Sequence, residues 1–260
     1  VTILASAAKV LRCFSHECAE ISVTELVNRL GMPKSNASRL LRSMRDAGLL
    51  ETVGASKRYR PSLMLVDVGR SYRRASTLVQ RADEVVARVS ARCGHTGYVS
   101  QRDGLEITAV TDHPGSNSLR VVSSVGRRLP AFASATGRSL LARLTDEQVS
   151  ALYGGRLPPA PSTTSPQDMA DLFERLARIR ESGVALSHDE ANRGVAAVAV
   201  AVGAQREEVS LCIVFPAATC DPAERDQIAL DLREGAAEIA RIVNDPSFLP
   251  LGVPAARKAA

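Results

Sequence analysis

Nine side chains between residues 34 and 60 carry the chemistry of a polyanion reader: Lys34, Ser35, Asn36, Ser38, Arg39, Arg42, Lys57, Arg58 and Arg60. Guanidinium groups offer forked donors to guanine edges or phosphate oxygens, an amide can pair with a base edge, and small hydroxyls let a helix sink into a major groove. On a helix stepping about 100° per residue, Ser35, Arg39, Arg42 and Asp46 fall together with Ser38 and Ser43 on the shoulders. Ala37, Leu40, Leu41 and Met44 form the opposite, apolar stripe. A basic helix that only meets solvent has the same look, so the flanking elements have to decide.

The elements that must hold these residues are legible around them. Ser22 and Glu25 have capping-box spacing, and Val23, Leu26, Val27 and Leu30 follow on one helical face until Gly31. Pro33 cannot continue that helix but suits the start of the next. Upstream, Ile3, Ala7, Val10, Leu11 and Phe14 keep helical spacing, which predicts a first helix that closes the core and also offers a dimer surface. Downstream, Leu49 to Val53 reads as a strand, Gly54-Ala55-Ser56 as a turn and Lys57 to Arg60 as the returning strand. A helix-turn-helix followed by a basic hairpin is a winged helix, whose wing tip touches the sugar-phosphate backbone or minor groove.

Charge agrees with that placement. Residues 1–74 hold 13 Lys and Arg against 6 Asp and Glu, whereas the rest of the chain is slightly acidic, within a net charge of +5 over 260 residues. Only the first part carries an electrostatic footprint for phosphate. The absence of Trp and the few aromatics argue against a stacking platform for single strands.

Beyond the wing, residues 63–92 have helical patterning interrupted by Gly69 and predict one linker helix. From Gly97 the period becomes two: Tyr98 to Gln101 and Leu105 to Thr111 form a hairpin about Arg102-Asp103-Gly104, and further strands are expected at Ser118 to Ser123, Val184 to Ser187, Val195 to Val202 and Val209 to Phe215. Helices are expected over Ala135 to Leu144, after Thr145 with Gln148, and after Ser165-Pro166 and Asp221-Pro222, with Gly183 ending the third. This predicts an α+β fold: a winged helix over residues 1–62, a linker helix over 63–92, a sheet-and-helix sensor domain over 93–248 and a flexible tail over 249–260.

Other chemistries find little support. Cys13, Cys18, Cys93, Cys212 and Cys220 are scattered, without a Cys-x-x-Cys pair or a neighbouring His at zinc spacing, so reduced thiols in a cytoplasmic protein are expected. The longest apolar run, Val195 to Ala204, is about half a membrane span, and no signal-peptide pattern opens the chain. Ala133 to Ser139 fails as a phosphate loop because Phe132 and Arg138 stand where Gly and Lys are needed. His188-Asp189-Glu190 reads as a solvated turn or dimer contact in preference to metal ligands, and Cys212 as a small core residue. There is no nucleophile elbow, so neither catalytic residues nor cofactor nor metal are expected. A protein-interaction module would prefer an apolar or acidic recognition face; steep salt dependence separates a DNA reader from it, and turnover without DNA would mark an enzyme.

In order along the chain, GMPKSNASRLLRSMRDAGLLE, SVGRRLPAFASATGRSLLARL and SGVALSHDEANRGVAAVAVAV make the whole sequence resemble the IclR family of bacterial transcriptional regulators. The resemblance implies a repressor acting on palindromic double-stranded operator DNA as a homodimer, which can pair into a dimer of dimers. It implies a GAF-like α/β domain with a central antiparallel sheet flanked by helices, binding a small effector such as an organic acid. Carried over by motif, Ala135, Thr136, Gly137, Ser187, Ala197, Cys212 and Val214 line that pocket. The family usually has His at Phe132, Gly-Lys at Gly137-Arg138, an acid at Ser187, a polar or thiol side chain at Ala197 and a small polar residue at Val214. These departures imply a less polar pocket and a larger or partly apolar metabolite.

Overall fold

The computed structural model describes residues 2–15, 18–54, 56–121, 125–204, 207–245 and 248. It divides into two compact units, residues 1–75 and 76–260.

In the first unit, helix α1 (Ile3–Leu11), the short strand β1 (Ile21–Ser22), helices α2 (Val23–Leu30) and α3 (Lys34–Asp46), strands β2 (Leu50–Thr52) and β3 (Arg58–Pro61), and helix α4 (Leu63–Ala75) follow in order. The strands pair antiparallel in the order β1-β3-β2. The capping box forms at α2: Ser22 N–H donates to the Glu25 carboxylate at 2.7 Å, and Glu25 N–H donates to Ser22 Oγ at 3.3 Å. Gly31 closes α2 at φ 64°, a left-handed turn that suits glycine. The core joins Val10, Leu26, Ala37, Leu40, Leu41, Met44, Leu50 and Tyr59. Ile3 does not join it; with 66 % of its surface exposed it lies on the outer face of α1.

The Glu25 carboxylate also receives the Arg58 guanidinium at 2.9 Å. Backbone and hydroxyl donation from Ser22, then Arg58, lower its pKa from 4.5 to about 2. A depressed carboxylate stabilises the fold above its unfolded-state value and loses that contribution as pH falls toward the folded one. Thermal unfolding should therefore separate wild type from Glu25→Gln above pH about 4.5 and bring the curves together near pH 2. A constant gap across that window would remove the carboxylate from the account.

In the second unit, helix α5 (Thr77–Cys93) precedes strands β4 (Thr96–Asp103), β5 (Glu106–His113) and β6 (Arg128–Pro130). Helices α6 (Ala135–Leu141), α7 (Asp146–Tyr153) and α8 (Met169–Ser182), strands β7 (Ala185–His188), β8 (Val195–Ala204) and β9 (Glu207–Pro216), and helix α9 (Pro222–Val243) complete it. The six strands form one antiparallel sheet in the order β6-β5-β4-β9-β8-β7. Helices cover both faces, which is why β8 is a nearly unbroken apolar run. Its alternate residues serve two cores: Val198, Val200 and Val202 pack with Val86, Val89, Leu232 and Ile239, while Ala197 and Ala199 pack with Phe132, Leu140, Leu172 and Leu176.

The helix expected over residues 63–92 is two helices, α4 and α5, because Ser76 leaves helical geometry and accepts a hydrogen bond from Val79 N–H as the cap of α5. Gly69 stays inside α4. Residues 118–121 of the strand expected over 118–123 are not strand; Asn117 N–H donates to the Gly94 carbonyl and the Thr96 hydroxyl to Val121, isolated bonds that cross the α5–β4 junction without building a ladder. Residues 122 and 123, like Ala55 of the wing turn and the tail over 249–260, lie outside the described residues.

Helix α6 stops at Leu141 instead of Leu144: the N–H groups of Arg143 and Leu144 turn to the carbonyls of Leu140 and Leu141, and Arg180 satisfies the carbonyls of Ala142 and Leu144 at 3.0 and 2.9 Å. Asp168, not Ser165, caps α8; Ser165 is buried and its hydroxyl donates to the Glu190 carbonyl. The caps at Thr145, Asp221 and Gly183 form where expected. Strand β6 has no apolar signal, and its ion pairs from Arg128 to Asp103 and Glu106 fasten it to the β4–β5 hairpin.

Candidate nucleic-acid interface and ligand cavity

Helix α3 presents its polar face as its sequence demands. Ala37, Leu40, Leu41 and Met44 are buried, while Lys34, Ser35, Asn36, Arg39, Arg42, Ser43 and Asp46 are exposed and Ser38 is half-buried. Arg39 rests against the Asn36 amide oxygen, and Arg42 against the Ser38 carbonyl and hydroxyl, all at 3.3 Å. These exposed contacts aim both guanidinium groups along the helix without committing them to a charge partner. Helix α3 starts after Pro33 without a side-chain cap bond, and Lys34, Ser35 and Asn36 of its first turn are exposed. Such a terminus suits a phosphate oxygen.

The wing cations separate into different environments. Lys57 is exposed beside the turn. Arg60 pairs with Glu51 across the hairpin at 2.6 Å, both side chains largely exposed. Arg58 turns inward to Glu25, Glu20 and the Glu20 carbonyl, and hydrogen bonding to Glu25 chiefly raises its pKa. Its guanidinium thus clamps β3 to the start of α2, a role that local spacing did not reveal.

In the second unit, Ser187, Ala197 and Val214 are brought into one cross-strand row over β7, β8 and β9, with Cys212 opposite Ala199 two residues along. Ala135, Thr136 and Gly137 form the buried first turn of α6. Gly137 permits close packing: a Cβ there would stand 2.1 Å from the Ala131 carbonyl oxygen. Burial pushes the Cys212 thiol up to about 12, so it stays protonated and packs as a small apolar group.

A cavity of about 390 Å³ opens beside this row. It reaches Ser187 and Ala197, and its other walls include Leu186, Phe215, Arg175, Cys220 and Arg225, whereas Ala135, Cys212 and Val214 pack in the core under α6 and Thr136 and Gly137 are buried in the first turn of that helix. Sequence reading missed both arginines, which have no distinguishing local motif. It also misjudged part of the turn at residues 188–190. His188 is exposed and Asp189 adopts φ 58°, but Glu190 is buried and pairs with Arg138, itself 1 % exposed. Arg138 further donates to the carbonyls of Phe132 at 3.0 Å and Leu186 at 2.6 Å, and Arg175 approaches Glu190 at 3.4 Å. The basic residue of the Gly137-Arg138 pair is consequently an internal strut.

Among the described residues, no helix is long and apolar enough to cross a membrane. The model of the IclR helix-turn-helix domain matches residues 4–54, and that of the bacterial transcriptional regulator IclR C-terminal domain matches residues 71–241. HTH-type transcriptional regulator Rv1719 of Mycobacterium tuberculosis is 31% identical over 218 residues, covering 84% of this chain and 83% of its own. An IclR transcriptional regulator from Alicyclobacillus acidocaldarius has the same fold, with TM-score 0.83 and 25% identity over 93% of this chain and 98% of its own. An IclR homolog from Microbacterium hydrocarbonoxydans, solved with 4-hydroxybenzoate, gives TM-score 0.75 and 22% identity over 94% of this chain and 99% of its own. Two family domains matched in order, a winged helix with an exposed basic recognition face, and a helix-covered antiparallel sheet lead to one conclusion: the chain belongs to the IclR family of bacterial transcriptional regulators.

Proposed function

We propose that this protein represses transcription as a homodimer bound to a palindromic operator, each α3 in a major groove and each wing on the adjacent backbone, with DNA affinity set by a metabolite in the second unit. The observation that carries the reading is the exposed row Ser35, Asn36, Arg39 and Arg42 over a fully buried opposite stripe. Dimerisation is supported by apolar side chains left outside the unit's own core: Ile3 and Leu4 on α1, and Leu63, Met64, Val66 and Val68 on α4. Such surface favours burial against a second copy. A regulator is favoured over an enzyme because the buried Cys212 is not activated and the charged groups near the cavity are tied to one another.

The same reading gives the effector a chemical class. Beside Leu186, Phe215 and Ala197 the cavity carries Arg225, which can exchange its exposed partner Asp226 for a ligand, and Arg175, which Asp171 and Glu190 hold in place; together they suit an anion with an apolar body. An aromatic or aliphatic carboxylate of modest size meets that description, in keeping with the hydroxybenzoate bound by the Microbacterium relative.

Fluorescence anisotropy on operator and random duplexes over a salt series tests the reading. Log affinity should fall linearly with log salt, and Lys57→Ala should flatten the slope by roughly one unit while lowering both affinities alike. Arg58→Ala, by contrast, should chiefly lower the melting temperature, because it removes the clamp on Glu25. Salt-independent binding would reject the DNA-reading role.

A further inference from the structure

The α5–β4 turn and the start of α9 bring together three side chains of metal-ligand type. His95 follows Gly94, the residue that closes α5; Cys220 directly precedes Asp221, the cap of α9; Glu224 lies in the first turn of that helix. One ligand atom from each lies within 4.8 Å of the others, and His95 Nε2 is 3.1 Å from Glu224 Oε1 although the two residues are 129 apart in sequence. Cys220 also lines the cavity beside the β7–β9 row, whereas His95 and Glu224 are not among its walls.

The imidazole is already fixed. His95 is 2 % exposed, its ring stacks at a tilt on Phe215 with centroids 5.3 Å apart, and Nδ1 stands 3.3 Å from the Asn117 amide. Gly94 makes room for that amide, since a Cβ there would lie 2.3 Å from the Asn117 oxygen. A second-shell partner of this kind sets the orientation of a ligating imidazole; with a metal on Nε2 the proton moves to Nδ1 and the amide turns its oxygen toward it. Cys220 is half-buried, its sulfur already within 4.8 Å of the His95 and Glu224 ligand atoms while its thiol contacts the Asp221 carbonyl at 3.7 Å.

We propose that His95, Cys220 and Glu224 bind a divalent cation of the zinc class, with a fourth coordination position left to water. Nitrogen, sulfur and oxygen donors together select this class over magnesium or calcium, which take oxygen ligands. The separation of His95 Nε2 and Glu224 Oε1 is close to the roughly 3.3 Å between neighbouring ligand atoms in a tetrahedral site with bonds of about 2.0 Å. On binding, the Cys220 thiol releases its proton to solvent and its sulfur becomes a metal-bound thiolate. The ion ties the start of α9 to the end of α5 and so stabilises the second unit by mass action. Without it, His95 and Glu224 share only a hydrogen bond.

Tag-free full-length protein, stripped with a chelator, is titrated with cobalt and then zinc. The proposal expects one cobalt per chain with a thiolate-to-cobalt charge-transfer band, displacement of that band by zinc, and a melting temperature that rises with zinc. Cys220→Ser should abolish the band, and Glu224→Gln should weaken zinc binding by more than the roughly 10–100-fold typical of losing an outer-shell partner. Cys18→Ser serves as a control and should leave both unchanged. A band that survives Cys220→Ser, a band lost in Cys18→Ser, or the absence of stoichiometric binding would each overturn the site. Replacement of the buried His95 risks the fold, so the decision rests on Cys220 and Glu224, with circular dichroism of each stripped variant verifying that it is folded.

Discussion

Glu190→Gln should lower the unfolding free energy by about 3–5 kcal/mol, the cost of leaving a buried charge without its partner. Arg138 and Glu190 have side chains only 2% and 5% exposed, and the guanidinium spans the Glu190 carboxylate and the carbonyls of Phe132 and Leu186. Neutralising Glu190 keeps the shape and some hydrogen bonding but leaves a cation among apolar neighbours. Arg138→Met should cost less, because Arg175 remains 3.4 Å from Glu190 to balance it. The double variant Arg138→Met with Glu190→Leu should recover much of the loss, since it removes both desolvation penalties. Denaturant unfolding followed by circular dichroism reads all three. A loss below about 1 kcal/mol for Glu190→Gln, as for an exposed pair, would mean that water reaches the pair.

The second large effect belongs to the recognition helix. Arg39→Ala and Arg42→Ala should each weaken operator binding by about 1–3 kcal/mol, or roughly 5–150-fold in Kd, if the guanidinium reads a base edge. Stability should change little, because both side chains are exposed and the bonds they give up, to Asn36 and Ser38, are surface contacts of 3.3 Å. Anisotropy with operator and random duplexes at one salt concentration separates specificity from attraction to phosphate: a base-reading arginine changes the ratio of the two affinities, a phosphate-binding one does not. Unchanged affinity in both variants would move the reading surface off α3.

What could be read along the chain was what is decided within a few residues. Capping boxes at Ser22 and Thr145, the stop at Gly31 and the stripe Ala37, Leu40, Leu41 and Met44 depend on spacings of three or four residues. The two-residue period of β8 carried no orientation in sequence, because both of its faces are covered and every position is apolar. Local signals misled where a distant group intervened. Arg180, reaching from α8, holds the carbonyls beyond the early end of α6, and Ser165 is drawn into a bond with Glu190 while Asp168 takes over the cap. Ser76, a small hydroxyl inside a helical pattern, breaks the expected linker helix because its side chain caps α5 instead of extending α4.

The sequence by itself therefore determined the reading head, most of the helices and the long strands, and the family, since helix faces, turns and motif order are local properties of the chain. Only the tertiary structure decided the fate of the charges. Arg58 looked like its neighbours Lys57 and Arg60 yet turns inward to Glu25; Glu190 looked solvated yet is buried against Arg138; His95 and Glu224 meet across 129 residues. The physical reason is range. An apolar periodicity is imposed residue by residue, whereas the environment of a charge depends on which partner the fold carries to within a few ångströms, and on how much water is excluded there.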